Sequence, residues 1–188
     1  MTINDATLFA YDALGGVIQG KTNLQKKMYF LSVILGEDFG YGPHYYGPYS
    51  ATVASANQEL KSLGYLSESK ASMGGYNASG FEIARHDFQL TPDGRSVLKE
   101  KKTRLKAEWD RVKTAVDRIV AAGDVNYIEI SIAAKTYFML DQKGAPASNQ
   151  ELVEQATKFG WVVTEQEIKK AVEFLTDLDL ATTVPSRL

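Results

Sequence analysis

The segment Phe88–Leu98, F-Q-L-T-P-D-G-R-S-V-L, narrows the folds open to this chain more than any other. Phe88-Gln89-Leu90 alternates apolar and polar side chains, as a half-buried strand does. Thr91 is a helix N-cap residue, Pro92 suits the first helical position, and Asp93 complements the positive end of a helix. A strand must therefore stop at Leu90 and a helix start at Pro92. Upstream, Tyr65–Lys70 reads as a second short strand. The glycine-rich stretch Ala71–Gly80 links it to a strand over Phe81–Leu90. Val53–Leu63 precedes both and carries helical spacing, inside a helix expected over Tyr49–Leu63 and stopped by Gly64.

Helix, two-stranded ribbon and a second helix is the order of a winged helix-turn-helix. The opening residues extend it. Asn4–Val17 reads as a helix with Leu8, Tyr11 and Leu14 on one face, ended by Gly15, Gly16 and Gly20. T-N-L-Q reads as a capping box, with Thr22 as cap and Gln25 reaching back. The helix it opens carries Leu24, Met28, Leu31 and Leu35 in one stripe. Five of the eleven residues of Phe39–Tyr49, F-G-Y-G-P-H-Y-Y-G-P-Y, are aromatic. Its glycines and prolines exclude a regular helix, so a structured extended loop is expected.

A long helix is expected from Pro92 to Ala122. Leu98, Leu105, Trp109, Val112, Val116 and Ile119 form a heptad-like seam with Lys102 interrupting its start. Such a seam pairs either with a second subunit or with the helix Tyr127–Leu140, which is apolar almost all round. Gly123-Asp124 ends the long helix. Ser148 with Glu151 and Thr164 with Glu167 are two further capping boxes. Ile168, Ala171, Val172, Leu175 and Leu178 face inward from the last helix. With F-G-W-V-V between them and L-D-L-A-T-T-V after them, these helices make either a second, reduced winged helix or a small helical bundle. The expected fold is thus mainly α with a small β-wing. Its parts are a winged helix-turn-helix domain over 1–91, a basic linker or dimerisation helix over 92–122, and a C-terminal helical or winged-helix-like lobe over 123–188.

Composition narrows the chemistry. With 188 residues, 44% apolar, a packed core is within reach. No cysteine is present, which removes disulfides, thiol catalysis and cysteine-ligated zinc and fits a cytoplasmic protein. No apolar run reaches a membrane span, and M-T-I-N-D-A-T-L has no signal-peptide pattern. The only two histidines, His44 and His86, sit on a loop and a strand without metal-ligand spacing. G-Y-G-P-H-Y-Y-G lacks the lysine and serine of a phosphate-binding loop. No enzyme, metal or cofactor is expected. Charge is uneven. Residues 1–90 carry 6 basic and 8 acidic side chains, 91–122 carry 9 and 5, and 123–188 carry 6 and 10. A nucleic-acid footprint must then involve the middle helix.

N-L-Q-K-K-M-Y-F-L over Asn23–Leu31, the aromatic loop, and Y-Y-G-P-Y-S over Tyr45–Ser50 resemble the YwgA-like proteins. More distantly they resemble the Panacea, or SocA-like, domain. E-I-S-I-A-A-K-T-Y-F-M-L and N-Q-E-L-V-E-Q-A-T-K-F-G-W resemble the same family, so the likeness covers most of the chain. The positions that match its sharpest motif are Leu24, Gln25, Lys26, Tyr46, Gly47, Pro48, Tyr49 and Ser50. Lys27 and Met28 depart from it, standing where relatives often carry an apolar pair. The resemblance implies a winged-helix-like fold and a prokaryotic source. It brings no catalytic residues, and Panacea-type relatives include antitoxins and adaptors that act through protein contacts.

Two functions follow as expectations. The first is a non-enzymatic DNA-binding regulator that reads double-stranded DNA, as a homodimer where the seam pairs two subunits. Ser50, Thr52, Ser55, Gln58 and Lys61 would face the duplex from the third helix, flanked there by Glu59 and Ser62. Lys26 and Lys27 would grip the backbone, and Lys70 and Arg85 would act from the wing with Tyr76 and Asn77 at its tip. No arginine on the third helix supports this. The second is a protein-interaction module of antitoxin or adaptor type, with Tyr41, Tyr45, Tyr46 and Tyr49 as an aromatic hot spot for a protein partner such as a toxin. Packing of at least two of these tyrosines onto the helices is expected as well.

Overall fold

A computed structural model describes residues 1–76, 82–123 and 126–181. The chain opens with α1 (Ile3–Ala13), β1 (Val17–Gln19), α2 (Lys21–Leu35) and α3 (Ala51–Ser62). The hairpin β2 (Leu66–Tyr76) and β3 (Glu82–Leu90) follows, and then α4 (Pro92–Arg104) and α5 (Lys106–Ala121). α6 (Tyr127–Lys143), α7 (Asn149–Lys158) and α8 (Glu165–Asp177) complete it. The described chain is mainly helical, with one antiparallel three-stranded sheet in the order β1-β3-β2.

α2 lies at the centre. It packs against α5, α6, α3 and the sheet. It buries not only Leu24, Met28 and Leu31 but also Gln25, Lys26, Tyr29, Phe30 and Ser32. One continuous apolar core runs from Leu8 and Phe9 of α1, through Phe30 of α2 and Val112 of α5, to Ile168 and Leu175 of α8. The three sequence segments therefore share a core. No helix among the described residues is long and apolar enough to cross a membrane.

The strand-to-helix junction at Thr91 forms as its residues dictate. Thr91 caps α4 by accepting from Gly94 N at 3.0 Å, and its hydroxyl donates to Gly64 O at 2.7 Å. That draws α4 against the chain entering β2, where a Cβ on Gly94 would sit 2.2 Å from Tyr65 O. The glycine of L-T-P-D-G-R is thus a packing requirement.

Several expectations need correction. The first helix ends at Ala13, not Val17. Gly15 and Gly16 take positive φ, and Val17–Gln19 then pairs with Asp87–Gln89 as an edge strand. Thr22 does not cap α2. Gly20 does so without any side-chain bond, and the Gln25 side chain turns into the core instead. The strand after Leu66 runs on to Tyr76, so half of the glycine-rich connection is sheet, with an irregularity between Ser72 and Tyr76. Phe81, Asn77 and Gly80 lie outside the described residues, as do Asp124 and the last residues of L-D-L-A-T-T-V.

The long helix is two helices that meet at Leu105, whose φ of −121° and ψ of 44° leave the helical region. A straight seam would have carried Lys102 toward the core. The bend instead seats its ammonium 3.9 Å from the Trp109 ring centroid and on the Asp12 carboxylate. Val112, Val116 and Ile119 are buried within the chain, and the main neighbours of α5 are α1 and α2 rather than Tyr127–Leu140. α6 is buried along most of its length, but its first turn leaves Tyr127 and Ile128 exposed. The Ser148–Glu151 and Thr164–Glu167 boxes both form. Val172 is only half-buried, while Phe174 joins Ile168, Ala171, Leu175 and Leu178 inside.

Gly94→Ala must push α4 off the Tyr65 carbonyl. It is expected to cost roughly 1–3 kcal/mol, as overpacking does. That corresponds to a melting-temperature drop of about 2–12 °C for a chain of this size, read by thermal denaturation.

Candidate interaction site

Two consecutive polar residues of α2, Gln25 and Lys26, are 6% and 2% exposed. A buried polar group must find partners, and both find them in the aromatic loop. Gln25 Nε2 donates to Ser50 O, and Gln25 Oε1 accepts from Ser50 N, each at 3.0 Å. Its amide pairs with the loop backbone as a neighbouring strand would. Lys26 Nζ donates to Pro48 O at 2.7 Å. Ser50 also closes the loop: its hydroxyl donates to Phe39 O at 2.5 Å and accepts from Val53 N at 3.0 Å, capping α3.

The loop is fixed elsewhere too. Gly42 and Tyr49 exchange two backbone hydrogen bonds of 3.0 and 2.9 Å. The Tyr41 hydroxyl donates to Gln25 O at 2.7 Å. Trp161 Nε1, from the turn between α7 and α8, donates to His44 O at 2.8 Å. Gly47, at φ 93°, lets the loop pass over two lysines, for a Cβ there would stand 2.9 Å from Lys135 Cγ and 3.3 Å from Lys26 Nζ.

On this fixed backbone the outer side chains face solvent. Tyr45 is 70% exposed, Tyr46 62% and Tyr49 38%. Tyr45 and Tyr46 meet edge to face at 4.8 Å, and His44 lies 5.0 Å from the Tyr49 ring. Tyr41 departs from this group. It is half-buried and packs against Tyr29 at 5.0 Å. Packing was expected for at least two of the four tyrosines; only Tyr41 packs inward, and the other three are exposed.

The electrostatics beneath the loop are unusual. No carboxylate pairs with Lys26 among the described residues. Burial, and then the neighbouring Lys135 charge, push its ammonium down to about 7. Burial also lowers Lys135, opposed by Glu167.

The residues expected to read DNA are placed differently. Lys26 and Ser50 are buried and spent on the loop, so neither stands on an outer face. Thr52, Ser55 and Gln58 are exposed along α3, and Lys27 is half-buried on α2. Lys61 is tied to Glu68 at 2.6 Å, and Glu68 also meets His86 at 2.5 Å. Those two hydrogen bonds, from Lys61 first, hold the Glu68 carboxyl down to about 2. Arg85 makes a two-pronged bridge to Asp87 at 2.8 Å, and Lys70 is exposed on β2. Tyr76 falls at the end of β2.

The basic middle helices are largely neutralised. Lys101 binds Asp5, Lys102 binds Asp12, Lys106 binds Asp110, Lys113 binds Asp117, Arg111 meets Glu37 and Arg118 meets Asp179. No family model matches the chain, and no curated protein matches it.

Trp161 and Lys135 escaped the sequence reading because they lie more than 80 residues from the loop they touch. The one local signal was a tryptophan in the F-G-W-V-V turn, where a buried aromatic needs a partner for its N–H.

Replacing Gln25 with Ala leaves the Ser50 N–H unpaired inside the core, while the Ser50 carbonyl keeps Ala54 N, and is expected to cost about 1–3 kcal/mol. Lys26 makes a signed pH prediction. Its folded pKa lies below the unfolded 10.5, so between about 7 and 10.5 the unfolded chain holds more protons and stability rises with pH. Below about 7 this contribution is flat. The melting temperature of the wild type, compared with Lys26→Met, is therefore expected to climb from pH 7 to pH 10. A difference that does not change with pH contradicts this.

Proposed function

We propose that this chain is a non-enzymatic protein-interaction module of winged-helix type, and that the tyrosine loop is its contact surface. One observation carries this reading: Tyr45 and Tyr46 stand in solvent on a loop whose backbone is held by Gln25, Lys26, Ser50 and Trp161. Large aromatic side chains left in water favour burial, and tyrosine is enriched at binding hot spots. A loop already held in one conformation loses little entropy when a partner binds. The order α1-β1-α2-α3-β2-β3 supports the winged-helix class, and fold alone assigns no function. L-Q-K and Y-G-P-Y-S resemble the YwgA-like proteins and, more distantly, the Panacea domain, whose members include antitoxins and adaptors, and this favours the same class of activity.

The DNA-reading alternative draws less support. α3 offers Thr52, Ser55 and Gln58 beside Glu59, while Lys61 and Arg85 are already paired with carboxylates. Phosphate binding relies on clustered cations that can release counterions.

The test is affinity capture from the source organism's lysate with wild type and with Tyr45→Ala/Tyr46→Ala. Both side chains are exposed, so the double variant is expected to keep its fold, within roughly 0.5 kcal/mol per site. It is expected to lose the captured partner. An unchanged captured set, or salt-sensitive retention of duplex DNA by both proteins, contradicts the proposal.

A further inference from the structure

Beside the tyrosine loop lies an open cleft of about 320 Å³ between the C-terminal half of α2, the segment 36–41 and the C-terminal half of α6. Its volume is at the small end of ligand pockets. Three tyrosines border it. Tyr29 stands 5.0 Å from Tyr41 at 64° and 6.1 Å from Tyr137 at 63°. Three carboxylates, Glu37, Asp38 and Asp141, share the lining, and no lysine or arginine does.

These acids are poorly matched. Glu37 has only a 3.4 Å contact with Arg111, and Asp38 accepts from Gly40 N at 2.8 Å. Asp141 pairs with no cation among the described residues. Burial, then Tyr137 and then the Asp141 charge raise the Tyr29 hydroxyl, and burial followed by Asp141 raises Tyr137. Tyr29 is only 5% exposed, yet its hydroxyl bonds to no described residue. The cleft thus joins aromatic walls, uncompensated negative charge and a tyrosine hydroxyl with no partner among the described residues.

We propose that this cleft takes an arginine side chain of the protein partner, an occupant that rests on the protein-interaction reading of the neighbouring loop. Cations bind over aromatic faces. A guanidinium is planar, stacks on rings and donates in a fork to carboxylates, which an ammonium does not. The cleft is continuous with the exposed loop, since Phe39 and Tyr41 belong to both.

The experiment titrates the full chain, labelled at its tyrosine rings for NMR, with the peptide Gly-Gly-Arg-Gly-Gly. The controls are the same peptide with citrulline or lysine in place of arginine, and tetramethylammonium chloride. The arginine peptide is expected to shift the Tyr29, Tyr41 and Tyr137 ring signals saturably. Citrulline, which keeps the shape and loses the charge, is expected to bind about tenfold more weakly or less. Asp141→Asn, at an exposed position, is expected to weaken the arginine peptide about threefold or more while the spectrum stays folded.

No saturable shift, or equal binding by citrulline, overturns the proposal. Tetramethylammonium or the lysine peptide binding as tightly as arginine overturns the arginine assignment. If arginine binds but Tyr45→Ala/Tyr46→Ala still captures the partner, the loop surface is wrong and the cleft stands. If that double variant loses the partner while arginine fails to bind, the cleft is wrong and the loop stands.

Discussion

Gln25 spends both ends of its amide on the backbone of one residue, Ser50, twenty-five positions away. The path of the aromatic loop and the start of α3 depend on that pairing. Ser50 is simultaneously the cap of α3 and the closing point of the loop that begins at Phe39. Gln25 therefore fixes where α3 starts, where the loop ends and how far the loop stands from α2. Lys26 adds a second tie one residue later, to Pro48. Polar side chains in a core are costly unless satisfied. Here their satisfaction orders a segment whose glycines and prolines form no regular structure of their own.

The same ties link the two motif halves. L-Q-K lies on α2 and Y-G-P-Y-S on the loop, and the structure joins them by hydrogen bonds. Leu24 is buried, Gln25 and Lys26 hold the loop, Gly47 clears the two lysines, and Ser50 closes the turn. What this framework leaves in solvent is Tyr45, Tyr46 and part of Tyr49. Charge follows a similar economy. The lysines and arginines of α4 and α5 are spread over carboxylates of α1, of their own helix and of the chain after α8. Much of the basic excess in the middle of the sequence is thus matched by carboxylates of the same chain.

Local rules were legible in the sequence. The Thr91 cap of α4, the Ser148 and Thr164 capping boxes and, apart from Val172, the inward face of α8 follow local spacing, and they form as read. Features set by distant partners were not legible. Gln25 looked like a cap residue because its spacing from Thr22 is right. Only the arrival of Ser50 makes the interior the better place for its amide. Lys26 looked like a surface cation, since nothing local shows that Pro48 O will receive it. The break at Leu105 is hidden for a similar reason. The heptad spacing continues across it, and the bend reflects the places of Asp12 on α1 and of Trp109, which it brings under Lys102.

The central claim is that α2 holds the aromatic loop as a fixed platform through Gln25. Native-state hydrogen exchange at the Ser50 amide tests it most directly, because that N–H donates to Gln25 Oε1. The account predicts strong protection in the wild type, close to that of the α2 core amides. It also predicts collapse of that protection in Gln25→Ala while amides in α5 and α8 stay protected. Exchange of the wild-type Ser50 amide at the rate of an open loop would contradict it.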